Sequence, residues 1–461
     1  MAQRGVAPAL PNMIKIETAG LIVLELLFFV WPLPRTISLR DFLLALTLVL
    51  FGYLVWNKRG LGKIPRDLFI PAALLIGLTA WMYAVAVFVS SETAWSLGEI
   101  RSQWWRALAA LLAGILAALA TRGNPSLKQN ALAALFVALL AHILCVDFHA
   151  GWQWLAYGAT ERTVGLTAGP DISSYLTNIL FGFALAELFC RALYKKRTLP
   201  FPSVVHYTVL VLAGLSVLVE LTRNGIITLV LMLMVLGTLY LLERRNPRKK
   251  FSLAIGLSFM LIVAMTGLGL IATARQSVNL ETLMATVPIA WDTEHNKAWQ
   301  DPLKYALPKV PSGAPVDAST YLRIAWLKEG LILVRERPLG IGYGRSAFGH
   351  GIQAKYGIDA GHSHSGLLDI AIGIGIPGAL LWTVLFVTLM VLTLRRWRAA
   401  PNYAAVLLLL VLVDYGVRGL LDSIQRDHML QQFMFLAGLA AVMMVTETKT
   451  VGRNISAKKH G

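Results

Sequence analysis

The stretch 335–378, RERPLGIGYGRSAFGHGIQAKYGIDAGHSHSGLLDIAIGIGIPG, holds most of the residues able to do chemistry. His362 and His364 stand one residue apart, just ahead of an apolar run. An imidazole at a membrane interface suits general-base work, because it exchanges protons near neutral pH. Two such residues could also ligate a metal, but no group of Cys, Asp or Glu stands beside them in the sequence, so no metal site is expected. Cys145 and Cys190 lack ligand spacing and lie in apolar stretches, as small buried hydrophobes do. Gly340, Gly342 and Gly344 alternate after Pro338, a turn that lets backbone approach another chain or a ligand closely. No strand pattern precedes this turn and no Gly-Lys-Ser/Thr follows, which sets a nucleotide loop aside.

Arginine supplies the second chemistry. Its planar fork binds phosphate oxygens in pairs and keeps its charge when partly buried. Arg223 lies between two apolar blocks in LVELTRNGIITLVL. An unpaired guanidinium near lipid is costly, so Arg223 is expected to face the interior and meet an anion, either Glu220 or a ligand. Arg162 sits in the polar turn ERTVGLTAGPDISS, with Glu161 and Asp171 as possible structural partners. Arg323 falls on a helical pattern at 318–336, and Arg337 and Arg345 flank the glycine turn. Arg418 and Arg426 have Asp414 and Asp422 one turn away.

These residues need elements to position them. Of the 461 residues, 56% are hydrophobic and only 15% charged, where a soluble protein carries about 25% charged. The apolar residues form twelve blocks: 14–33, 41–56, 68–90, 104–120, 130–148, 172–190, 205–221, 225–243, 251–272, 365–394, 402–420 and 428–446. Each is long enough to cross a hydrocarbon core of ~30 Å, and lipid forces each to be helical. The first block lacks a small-residue cleavage site and is expected to be a retained helix. The expected fold is therefore an all-α polytopic membrane protein with about 12 transmembrane helices. It divides into helices 1–9 (1–272), one large outside loop (273–364), helices 10–12 (365–447) and a tail (448–461).

The net charge of +17 is distributed along the loops and does not indicate nucleic acid. With the amino terminus inside, the alternate segments that fall inside are rich in mixed Lys and Arg, for example Arg244, Arg245, Arg248, Lys249 and Lys250. The short outside loops carry only arginine: Arg35, Arg40, Arg101, Arg106, Arg162, Arg223, Arg418 and Arg426. That bias points to a phosphate or pyrophosphate site on the outer face. Trp104, Trp105, Trp152 and Trp154 flank outside helix ends, as an interfacial aromatic belt does.

At these residues the chain resembles the O-antigen ligases of the O-antigen ligase and polymerase superfamily. The ligase signature is a His, then Asn, Ser or Gln, nine residues, Gly, two residues, and Gly, Thr or Tyr. Here His364 and Ser365 are followed by nine residues, Gly375, two residues and Gly378. The segment Thr222–Arg223–Asn224–Gly225 resembles the superfamily's Ser-Arg-Gly/Ala element, and Arg323 the loop arginine ahead of a Pro-x-Gly-x-Gly turn. The resemblance implies transfer of O-antigen polysaccharide from undecaprenyl pyrophosphate to lipid A–core in lipopolysaccharide biosynthesis. It places that inverting reaction at the periplasmic face of the bacterial inner membrane, among membrane lipids, with no metal, nucleotide or other cofactor. His364 would be the base, and Arg162, Arg223 and Arg323 would clamp the pyrophosphate; His362, Arg337 and Arg345 are secondary candidates. Alternatives are an O-antigen polymerase or a protein O-oligosaccharyltransferase of the same superfamily and, more distantly, a lipid-linked glycan transporter. A transporter calls for charged or broken helices at mid-membrane, and no paired interruptions are visible in the sequence.

Overall fold

The computed structural model describes residues 11–58, 66–244, 280–301, 304–425 and 427–459. Among these residues no strand forms, only an isolated bridge between Lys309 and Pro315. The chain is an all-α polytopic membrane protein. Its helices are α1 (Pro11–Val30), α2 (Ile37–Asn57), α3 (Phe69–Phe88), the short α4 (Thr93–Glu99) and α5 (Trp105–Thr121). There follow α6 (Pro125–Tyr157), α7 (Pro170–Tyr194), α8 (Ser203–Glu220) and α9 (Arg223–Arg244). Past residue 279 come α10 (Leu280–Trp291), α11 (Ala318–Glu336), α12 (Ala347–Tyr356), α13 (Gly366–Ala399), α14 (Tyr403–Leu421) and α15 (Asp427–Lys459). Ten helical stretches of the described residues are long and apolar enough to cross a bilayer. Every expected apolar block is a helix here except the ninth, 251–272, which lies outside the described residues.

Local chemistry sets the helix ends. Asn124 caps α6 by accepting from the Leu127 amide at 3.0 Å, with Pro125 in the first turn and Gly158 left-handed at the end. Asp317 accepts from the Thr320 amide at 2.8 Å to start α11. Asn402 does the same for Ala405 at the start of α14. Between α8 and α9 only Leu221 and Thr222 remain, and Leu221 turns the chain in the left-handed region at φ 52°.

Small residues bring the central helices together. α5 buries Ala107, Ala110, Ala113, Gly114 and Ala117 against α15. A Cβ on Gly114 would stand 2.1 Å from the Phe435 carbonyl oxygen, so only glycine permits that approach. Trp104, expected in an aromatic belt, is instead buried and donates to Thr79 Oγ1 at 3.0 Å. Trp105, Trp152 and Trp154 are exposed, as a belt requires.

α13 is broken part-way along. Ile374 and Gly375 leave helical geometry, Gly375 at φ 71° and ψ 178°, with Pro377 following. Such a break frees backbone groups that lipid cannot satisfy. The segment 338–342 satisfies them: Ile341 and Gly342 amides donate to the carbonyls of Ile372 (3.0 Å) and Gly373 (2.9 Å), and the Ile376 amide donates to the Pro338 carbonyl (2.8 Å). The Trp81 indole donates to the Ile374 carbonyl at 2.8 Å. The glycine turn after Pro338 and the glycine-rich stretch of α13 are thus two halves of one joint. α10, α11 and α12 build a second, smaller apolar core around Trp299, Tyr321, Phe348 and Ile352, which takes in Leu368 and Ile372 of α13.

A Cβ at position 375 would lie 2.4 Å from the Leu339 carbonyl carbon, in a backbone region that L-residues rarely adopt. Gly375→Ala should therefore cost at least ~1–3 kcal/mol in backbone strain alone and lower the melting temperature of the detergent-solubilised protein by several degrees. Gly98→Ala, with open space around the added carbon, should leave it unchanged.

Candidate active site

The site forms where the His364 turn meets the link after α14. His364 precedes α13 with φ 57°, a left-handed conformation uncommon outside glycine. Ser365 is the N-cap of α13, accepting from the Leu368 amide at 3.5 Å. The turn is fastened at several points. The Ser363 amide donates to Asp369 Oδ1 at 3.1 Å, and the Ser423 hydroxyl donates to Asp369 Oδ2. The Gly366 amide donates to the Asp422 carbonyl at 2.9 Å. Asp369, on the first turn of α13, therefore holds the two loops side by side.

That arrangement brings Asp422 opposite His364. His364 Nδ1 lies 3.6 Å from Asp422 Oδ1, close enough for charge attraction and slightly beyond a hydrogen bond. Burial alone would raise the Asp422 carboxyl. The facing imidazole, the Ser423 amide donating at 2.8 Å, and the charge of Arg323 outweigh it and hold the carboxyl below the usual carboxylate range. Trp326 of α11 stacks on His364, centroids 5.3 Å apart and planes 7° from parallel. His362 stands edge-on to the same ring at 4.4 Å.

The arginines approach from three other elements. Arg323, on α11 one turn before Trp326, is exposed and makes no hydrogen bond or ion pair among the described residues. Its charge acts on both Asp422 and Arg162. Arg162 lies in the α6–α7 turn, where its Nε donates to the Glu220 carbonyl at 2.9 Å. Burial and the like charge of Arg323 press its guanidinium below its ordinary value, against the pull of Asp171 and Glu220. Arg223 opens α9, exposed and likewise without a hydrogen bond or ion pair among the described residues. Its neighbour Asn224 donates to the Leu421 carbonyl at 3.3 Å, one residue from Asp422. Arg223 does not pair with Glu220, whose carboxylate accepts from Ser173 and Thr177 instead.

The remaining arginines sort away from this cluster. Arg345 is neutralised by Glu99, which it meets through Nε and a terminal nitrogen at 3.0 and 2.9 Å, and by Asp427 at 3.1 Å. Arg337 lies beyond the last turn of α11, roughly 20 Å along from Arg323 at 1.5 Å per residue. It borders a separate cavity of about 260 Å³ with Glu92, Trp95, His350 and Lys355. Arg106 pairs with Asp41, and Arg418 is buried against Asp414, as its spacing suggested. Arg426 lies outside the described residues.

Residues 208–383 match the family model described as O-antigen ligase. The match supports a relation of this segment to the O-antigen ligase superfamily. The matched segment runs from within α8 into α13 and contains Arg223, Arg323, His362 and His364. Arg162 and Asp422 fall outside it. No curated protein matches the chain.

The signature of the ligases acquires a physical meaning here. Its histidine precedes the helix, its serine caps it, and its first glycine is the break in α13. Sequence reading assigned Asp422 to Arg426 and passed over Asp369 and Trp326. The expectation that no acidic group joins the two histidines is corrected by the fold, which brings in Asp422 from 58 residues away. Only the aspartate's place just after an apolar block, at the end that holds the other polar residues, hinted at its role.

A carboxyl held below its unfolded value stabilises the fold fully above that value, about 3.9, and loses the contribution as pH falls through the folded value. The melting-temperature gap between the parent and Asp422→Asn should therefore narrow as pH falls below about 4. A gap that widens on acidification would show that Asp422 is not held ionised in this way.

Proposed function

We propose that the protein transfers O-antigen polysaccharide from undecaprenyl pyrophosphate to a sugar hydroxyl of lipid A–core, at the periplasmic face of the bacterial inner membrane. The observation that carries this reading is the position of Arg323, whose charge reaches both Arg162 and the Asp422 carboxylate that faces His364. That supports a cationic site for a diphosphate near the His364 imidazole. The match of residues 208–383 to the O-antigen ligases supports the same chemistry.

In this reading Asp422 keeps the His364 proton on Nδ1, which leaves the Nε2 lone pair for the substrate. The acceptor hydroxyl gives its proton to Nε2 as its oxygen bonds to the anomeric carbon. The bond from that carbon to the pyrophosphate oxygen breaks, and the lipid diphosphate departs from the opposite face with inversion. Arg162, Arg223 and Arg323 stabilise the charge gained by the leaving oxygens. The terminal nitrogens of Arg162 make no hydrogen bond among the described residues and are available for this. Trp326 fixes the plane of the imidazole, and Asp369 fixes the turn that carries it. Both lipid substrates enter laterally from the outer leaflet.

His364→Ala should reduce transfer by at least ~10²–10⁴-fold while lipid-linked donor still binds. Normal turnover would remove His364 as the base. Arg223→Lys keeps the charge and loses the fork, so transfer should fall by about tenfold or more. A lysine variant as active as the parent would rule out paired recognition of phosphate oxygens. Purified protein given lipid-linked glycan should elongate lipid A–core, rather than a second lipid-linked glycan or a pilin-like protein.

A further inference from the structure

We propose that His362, His364 and Asp422 form an inhibitory site for a divalent transition-metal ion, with Zn²⁺ as the chemical type. One ligand atom from each of these residues lies within 4.8 Å of the others. Two imidazoles and one carboxylate with an open fourth position make a donor set that suits Zn²⁺. In a tetrahedral centre with bonds near 2.0–2.2 Å, ligand atoms stand roughly 3.4 Å apart. His364 Nδ1 and Asp422 Oδ1 are already 3.6 Å apart, so only the His362 ring has to close in. It follows Gly361, where an added Cβ would meet nothing within 4 Å.

Other features favour an ion here. His364 Nδ1 has no hydrogen-bond partner among the described residues. Trp326 stacked on the ring restrains its plane, so little side-chain freedom is lost on ligation. His362 and His364 are half-buried, and Asp422 is 9% exposed. The positive charge of Arg323 acts against any cation. It weighs most against Mg²⁺ and Ca²⁺, which need several oxygen ligands and find one carboxylate.

Inhibition follows from the valence of imidazole. A neutral ring has one lone pair and one N–H. When Nδ1 binds the ion, the ring proton moves to Nε2, and no lone pair remains for the acceptor hydroxyl. The inhibitory consequence rests on the reading of His364 as the base; the binding itself does not.

The test uses the full-length chain in detergent, freed of metal with EDTA, and titrated calorimetrically with Zn²⁺. One ion per chain is expected, with no uptake of Mg²⁺. His362→Ala and Asp422→Asn should each weaken binding at least tenfold, and His362→Cys, which keeps a ligand, should restore it relative to alanine. Melting curves of the variants establish that they are folded. Absence of one-ion uptake, or uptake unchanged in both weakened variants, overturns the site. In the activity arm, Zn²⁺ should suppress transfer over the concentration range in which it binds, with recovery on adding EDTA. His362→Ala should keep a larger share of its own metal-free rate. Binding at this site without loss of transfer would overturn the inhibition and count against His364 as the base.

Discussion

A helix broken inside a membrane leaves backbone donors and acceptors that must find partners within the protein, and α13 is broken at Ile374 and Gly375. The partners come from Pro338, Ile341, Gly342 and the indole of Trp81. This requirement orders much of what lies above. The strap that repairs the break is the direct continuation of α11, so α11 is drawn down on the start of α13. Gly330 of α11 packs on Leu368 and Ile372 there, with no room for a side chain. Trp326 and Arg323, one and two turns earlier on α11, are thereby brought to His364 and Asp422.

The second constraint is the left-handed turn at His364. It is held by Asp369, which binds the loop before the helix and the loop after α14 with its two oxygens. A single buried carboxylate thus sets the distance between an imidazole and its acidic neighbour. The arginines need no such fastening. Arg223 opens α9 and Arg323 lies in the second turn of α11, and neither makes a hydrogen bond or ion pair among the described residues. Arg345, by contrast, is fully engaged and ties the glycine turn to Glu99 and Asp427.

Much of this was legible in the sequence, for physical reasons that differ by element. Membrane helices announce themselves through uninterrupted apolar length, so α1 to α3, α5 to α9 and α13 to α15 are visible without a structure. Arg223 stands out because charge next to lipid is expensive, Arg162 because the short outside loops carry only arginine, and Arg323 through the resemblance to the ligases. Asp422 and Trp326 do not stand out, since an aspartate after a helix and a tryptophan on a periodic face are ordinary. Their role depends on the packing of α11 on α13 and on the close approach of two loops, which no local pattern encodes. Arg337 and Arg345, near the motif, were secondary candidates behind Arg323. What separates them is distance along α11 for one and two carboxylates for the other.

The central claim is that Arg162 and Arg323, 161 positions apart in the sequence, grip the same lipid diphosphate beside His364. A double-mutant cycle on donor binding tests it most directly, with undecaprenyl pyrophosphate titrated into the parent, Arg162→Ala, Arg323→Ala and the double variant. The account predicts strong coupling, the double variant binding far less weakly than the two single losses multiplied together would give. Independent, multiplicative losses would contradict it, because two groups that share one ligand and sense each other's charge cannot act separately.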